Sequence, residues 1–141
     1  MKRWIVVINK TEARFFSASN PQATDIKYID KLENPKGRLR SGEINADKPG
    51  FFSSGSSTHG GHMTSVQSPT ERVAEVFAKE IVQYLEHALS LNQFAELTLI
   101  VEPRFLGKIR AVMGKELSSK VVKEIPKDLR QVSTEQVRQR L

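Results

Sequence analysis

Hydrophobic positions along the chain fall into two regular patterns, separated by a stretch with neither. Trp4 to Ile8 is an unbroken apolar run, mostly β-branched. A strand buried on both faces reads this way, because neither face can carry a polar side chain. The Asn-Lys-Thr-Glu stretch at 9–12 supplies turn chemistry, and "ARFFSAS" (13–19) reads as a second short strand. "NPQAT" (20–24) makes the next turn. "DIKYIDKLE" (25–33) alternates, with Ile26, Tyr28 and, less regularly, Ile29 and Leu32 set against Asp25, Lys27 and Lys31. Three short strands joined by tight turns predict an antiparallel meander.

From Asn34 to about Gln67 the pattern disappears into Gly, Ser, Pro and charge. Loops this long inside compact domains are usually functional or disordered, so a long, partly mobile excursion is expected at about 34–67. Phe51 and Phe52 are its one apolar landmark, either an anchor or a contact surface. The strongest helix follows. Ser68 reads as its N-cap, Pro69 as the first helical residue and Glu71 as the closing member of a capping box. Val73, Val76, Phe77, Ile81, Tyr84, Leu85, Ala88 and Leu89 then recur at three- and four-residue spacing, to about Ser90. Glu75, Lys79, Glu80 and Glu86 lie mainly on the wet side.

"LTLIVE" (97–102) is a second buried strand, and Pro103 opens a shorter helix with Phe105, Leu106, Ile109 and Val112 inward. "KVVKEI" (120–125) is a final strand, and Ser133 caps a closing helix. The order is βββ-αβαβα. Strands separated by helices prefer parallel pairing through right-handed crossovers. The expectation is one α/β domain over residues 1–141 with a three-layer, ribonuclease-H-like fold. Its five-stranded mixed sheet has three antiparallel strands, then two parallel strands reached through helices, with the run at 4–8 near the centre.

Composition narrows the chemistry. A chain of 141 residues suits one domain and can bury roughly two-thirds of its unfolded surface. Cysteine is absent, which excludes disulfides, thiolate zinc sites and a cysteine nucleophile. The run at 4–8 is too short for a signal-peptide core, and no segment approaches a membrane span, so a cytoplasmic protein without membrane insertion is expected. The net charge of +6 favours a polyanionic partner such as RNA or an anionic membrane surface, with a merely solvated basic surface as the alternative. Lys36, Arg38 and Arg40 precede the Gly-rich stretch, and Lys108, Arg110, Lys115, Lys120, Lys123, Lys127 and Arg130 crowd the last third. Arg38, Arg40, Lys108 and Arg110 are the candidate RNA contacts, with Phe51 and Phe52 as candidate stacking platforms for bases.

Metal chemistry finds little footing. His59 and His62 are three apart in an irregular stretch, and a catalytic zinc needs a third protein ligand. His87 falls on the main helix as an ordinary helix residue. A two-metal nuclease needs several carboxylates at strand ends. Here the first strand ends in Asn9 and Lys10, leaving only Glu102 and Asp128. Glu102 is expected to cap the Pro103 helix or to pair with Arg104. No metal and no cofactor is therefore expected. A sheet edge or helix face left open would suit a homodimer.

Four stretches taken together go further: "RWIVVINKTEARFF", "ERVAEVFAKEIVQYLEHA", "LTLIVEPRFLGKIRAVMG" and "VVKEIPKDLRQVSTEQVRQRL". In this order they resemble the bacterial host attachment protein family over nearly the whole chain. That family is similar to the middle domain of eukaryotic and archaeal peptide-chain release factors and of Pelota, where a Gly-Gly-Gln tripeptide precedes a long helix. Gly60, Gly61 and His62 stand in the matching place, with His62 where the glutamine would be. The resemblance implies a catalytic loop whose glycines admit unusual backbone conformations and whose N–H groups face a developing oxyanion. Two functions follow as expectations. One is a cytoplasmic, translation-associated factor that contacts the ribosome or tRNA and not DNA, with peptidyl-tRNA ester hydrolysis as its enzymatic form. The other is a non-enzymatic interaction protein required for attachment to host cells. The first is the leading expectation and the second its alternative; nothing convergent surrounds His62 in the sequence, so contact without ester hydrolysis is the expected form of the first.

Overall fold

The computed structural model describes residues 2–20, 22–38, 68–130 and 133–141. Three strands come first: β1 (Arg3–Ile8), β2 (Glu12–Ala18) and β3 (Lys27–Glu33). A short 3-10 turn covers Pro35–Arg38. After the 39–67 segment come α1 (Pro69–Ser90), β4 (Glu96–Val101), α2 (Pro103–Val112), α3 (Lys115–Lys120), β5 (Val121–Pro126) and α4 (Thr134–Arg140). The strands form one sheet in the order β3-β2-β1-β4-β5. β1 pairs antiparallel with β2 and parallel with β4; β2–β3 is antiparallel and β4–β5 parallel. The predicted α/β fold with a mixed five-stranded sheet is present, with β1 at its centre.

Two apolar clusters lie on opposite faces of the sheet. On one face Trp4, Val6, Ile8, Phe15, Leu97 and Leu99 pack under α1, α2 and α3, whose buried residues include Phe77, Ile81, Leu85, Phe105, Ile109 and Leu117. On the other, Ile5, Val7, Phe16 and Ile100 pack with Val137 of α4. Each large side chain so buried contributes about 1.5–3 kcal/mol relative to exposure, which makes the helical face the main source of stability. Tyr84 ties α1 to the sheet twice. Its ring stacks on Phe15 at 4.3 Å between centroids, and its hydroxyl donates to Asp30 Oδ2 at 3.0 Å.

Local chemistry explains the helix ends. The Glu71 N–H donates to Ser68 Oγ at 3.2 Å, with Pro69 at the first helical position. At Ser133 the full capping box forms with Gln136. α1 stops in a Schellman motif: Asn92 N donates to Leu89 O at 2.9 Å and Gln93 N to Ala88 O at 3.0 Å. Asn92 takes the left-handed conformation (φ 58) that this motif requires and that asparagine tolerates.

Two sequence expectations are corrected. The order gains a helix, α3, that the expected βββ-αβαβα lacks: six residues with one buried apolar side chain, Leu117, carry no visible period. The alternation in β3 slips because of a bulge. Phe15 pairs with Asp30 and Phe16 with Tyr28, leaving Ile29 opposite neither. The first residues of the 34–67 stretch form an ordered turn, Pro35–Arg38.

Candidate interaction groove between the main helix and the sheet edge

The groove starts from the end of β1. Asn9 is buried, and its Oδ1 accepts from Thr11 N (2.8 Å), Thr11 Oγ1 (2.7 Å) and Glu12 N (3.0 Å). The residue that stands where a nuclease would place an acid therefore builds the β1–β2 turn. The chain leaving β3 is strapped across this turn. Asn34 N donates to Thr11 O at 2.8 Å and Asn34 Nδ2 to Lys10 O at 2.9 Å. Gly37 comes so close that a Cβ there would lie 2.0 Å from Lys10 O. Only glycine fits beneath that carbonyl.

α1 begins beside this turn, and an open groove of about 530 Å³ runs between them. One wall is Glu33, Asn34, Pro35 and Lys36, at the end of β3 and in the turn. The other is a stripe of α1: Pro69, Arg72, Val73, Val76, Phe77 and Glu80. These recur every three or four residues because they share one helix face. Val76 was expected to face inward with Phe77. It is instead 51% exposed: the sheet ends at β3, and among the described residues nothing further out covers this side of α1. A smaller pocket of about 60 Å³ continues past Lys36 to Lys10, Gly37, Thr70 and Ala74.

The charges of the groove are ordered. Lys36 and Arg72 stand at the end near the α1 N-terminus, where the helix dipole adds positive potential. Glu33 and Glu80 stand at the other end, with Pro35, Val73 and Val76 between. Glu33 also pairs with Lys31 at 3.3 Å, but both side chains are largely exposed, and such pairs hold weakly.

The residues singled out from sequence are dispersed. Gly60, Gly61, His62, Arg40, Phe51 and Phe52 lie outside the described residues, as does His59. Arg38 ends the 3-10 turn, and its side chain lies outside the description. Lys108 and Arg110 are on α2 and do not line the groove. Arg110 is committed to β5: Nε donates to Glu124 Oε1 at 3.0 Å and Nη2 bonds the same oxygen. That hydrogen bond, and then the charge of Glu124, hold the guanidinium above its ordinary pKa. Asp128 pairs with Arg130. Glu102 occupies the N-cap position of α2 without the side-chain capping bond expected of it, and its buried Oε2 has no hydrogen-bond partner among the described residues. His87 is exposed in the last turn of α1. Among the described residues no three His, Asp or Glu side chains converge, and no helix is long and apolar enough to cross a membrane.

Sequence reading missed the groove itself. Its one trace was the spacing of Arg72, Val76 and Glu80, four apart, basic then apolar then acidic.

Comparison with known proteins gives two findings. An uncharacterised protein of Rickettsia prowazekii (strain Madrid E) is 37% identical over 62 residues, 43% of this chain. The match spans 41% of that relative, less than half its length. A family model described as "Protein required for attachment to host cells" matches residues 4–141. That span holds β2 to β5, all four helices and all but the first residue of β1, so the chain belongs to the family of proteins required for attachment to host cells.

Proposed function

We propose that this chain is a non-enzymatic protein-interaction factor required for attachment to host cells, and that its partner seats in the groove between α1 and the end of β3. The exposure of Val76 on an apolar floor carries this reading. A half-exposed valine beside buried Phe77 gains free energy from a partner's apolar side chain. The mixed rim points to protein, since Glu33 and Glu80 would repel a phosphate backbone. The test is complementation. A strain lacking the gene is expected to attach poorly, to recover with the wild-type chain, and not to recover with a folded Val76→Asp chain. Full recovery by Val76→Asp would overturn the reading.

A second reading has its own support. Lys10, Lys36 and Arg72 gather near the start of α1 in a chain of net charge +6, as a ribosome- or tRNA-contacting factor would require. Hydrolysis by Gly60, Gly61 and His62 belongs to this reading. It predicts ribosome co-sedimentation that weakens steeply with salt and is lost on Lys10→Glu/Lys36→Glu substitution. Absence of co-sedimentation at low salt would remove it.

A further inference from the structure

We infer that the groove selects a partner segment by charge order: an apolar centre flanked by an acidic residue on one side and a basic residue on the other. This rests on the interaction reading above and names the partner chemistry of the same site.

The inference comes from the agreement of two walls of separate origin. Along α1 the order is Arg72, Val76, Glu80. Along the other wall it is Lys36, Pro35, Asn34, Glu33, basic at one end and acidic at the other once more, with an apolar and a neutral polar residue between. The walls run side by side, for Tyr84 of α1 meets Asp30 of β3 beyond the acidic end, while Thr70 and Gly37 line one pocket beyond the basic end. Each end therefore presents a pair of like charges, one from each wall. A ligand of uniform charge gains at one end and is repelled at the other. A ligand with one charge of each sign gains at both.

Spacing sets the size of the segment. Arg72 and Glu80 are eight residues apart on a helix, about 12 Å along its axis at 1.5 Å per residue. An extended chain covers that in about four residues at roughly 3.3 Å each. The expected occupant is thus a short extended segment with its acidic and basic residues about four apart and one or two large apolar residues between them. The match is by side-chain charge and fixes no backbone direction.

Synthetic peptides test this against the full-length protein. Three labelled peptides share a leucine-rich centre. One carries an acidic residue at one end and a basic residue at the other, one is acidic at both ends, and one is basic at both. Fluorescence anisotropy is expected to show roughly tenfold tighter binding of the mixed peptide than of either uniform one, in the range of a few exposed charge pairs. Lys36→Glu/Arg72→Glu makes the rim wholly acidic and should turn the preference to the basic-ended peptide. Glu33→Lys/Glu80→Lys should turn it to the acidic-ended one. All four positions are exposed, so circular dichroism should show the fold intact. Binding that is lost in Val76→Asp but indifferent to end charge overturns the charge-order inference and leaves the interaction reading standing. No binding of any peptide overturns both.

Discussion

The seat of the turn on Lys10 makes alanine at two glycines act in opposite directions. In Gly37→Ala the new Cβ falls 2.0 Å from Lys10 O and 2.9 Å from Lys10 C. An ordinary carbon–oxygen contact is about 3.3 Å, so turn and hairpin must part by about 1.3 Å. Both contacts are backbone, so no flexible side chain can give way. That displacement strains the bonds that hold the strap: Asn34 Nδ2 to Lys10 O at 2.9 Å, Asn34 N to Thr11 O at 2.8 Å and Gly37 N to Asn34 O at 2.9 Å. Losing one or two of them at about 1 kcal/mol each, with some overpacking strain, gives a cost of about 2–4 kcal/mol. At roughly 2–4 °C per kcal/mol for a chain of this size, Tm should fall by about 5–15 °C. Gly107 is the control. It sits on the exposed face of α2 with nothing within 4 Å of an added Cβ. Alanine there should stabilise by about 0.5–1 kcal/mol, the helix-propensity difference. Thermal denaturation of the two variants gives the sign, and amide exchange at Asn34 and Gly37 shows whether the loss is local. A Gly37→Ala protein as stable as wild type, with exchange unchanged at both amides, would refute the seating of the turn and with it one wall of the groove.

Two further perturbations probe the elements that position the groove. Tyr84→Phe keeps the ring stack on Phe15 and removes only the 3.0 Å bond to Asp30, and should cost about 0.5–1.5 kcal/mol in urea unfolding. Burial, then the bond to Asp30 and its charge, push the Tyr84 pKa up from 10.0 to about 12. The folded state therefore holds this proton more tightly, so its contribution is complete below pH 10 and fades as pH rises from 10 through 12. The stability gap between wild type and Tyr84→Phe should close over that window. Ser133→Ala removes the acceptor of the Gln136 N–H, should cost about 1 kcal/mol, and should raise amide exchange in α4 before any other helix; equal protection across the helices would contradict that assignment.

How much was legible in the sequence depended on how far each signal was local. The run at 4–8 identifies a buried strand because every position is apolar, and 97–101 does so with Thr98 as its one polar residue. Ser68-Pro69 and Ser133 mark helix starts because capping is settled within three residues. α3 was hidden because six residues do not complete two turns. The slip in β3 was visible as irregular alternation, but its cause, Ile29 in a bulge, depends on the partner strand. Val76 shows the same limit at the level of function. Helical spacing places it beside the inner face of α1, and only the position of β3 at the sheet edge leaves it uncovered. Counting basic residues also could not reveal that Arg110 is engaged by Glu124, fourteen positions further on.

On the proposed function, the face of α1 bearing Val76 meets protein. A photocrosslinking amino acid installed at position 76 in living cells tests it most directly, with the same group at exposed Lys79 as control. Discrete protein adducts are expected from position 76, absent from position 79 and lost when Lys36→Glu/Arg72→Glu is added. Adducts to RNA at position 76, or protein adducts equal at both positions, would contradict it.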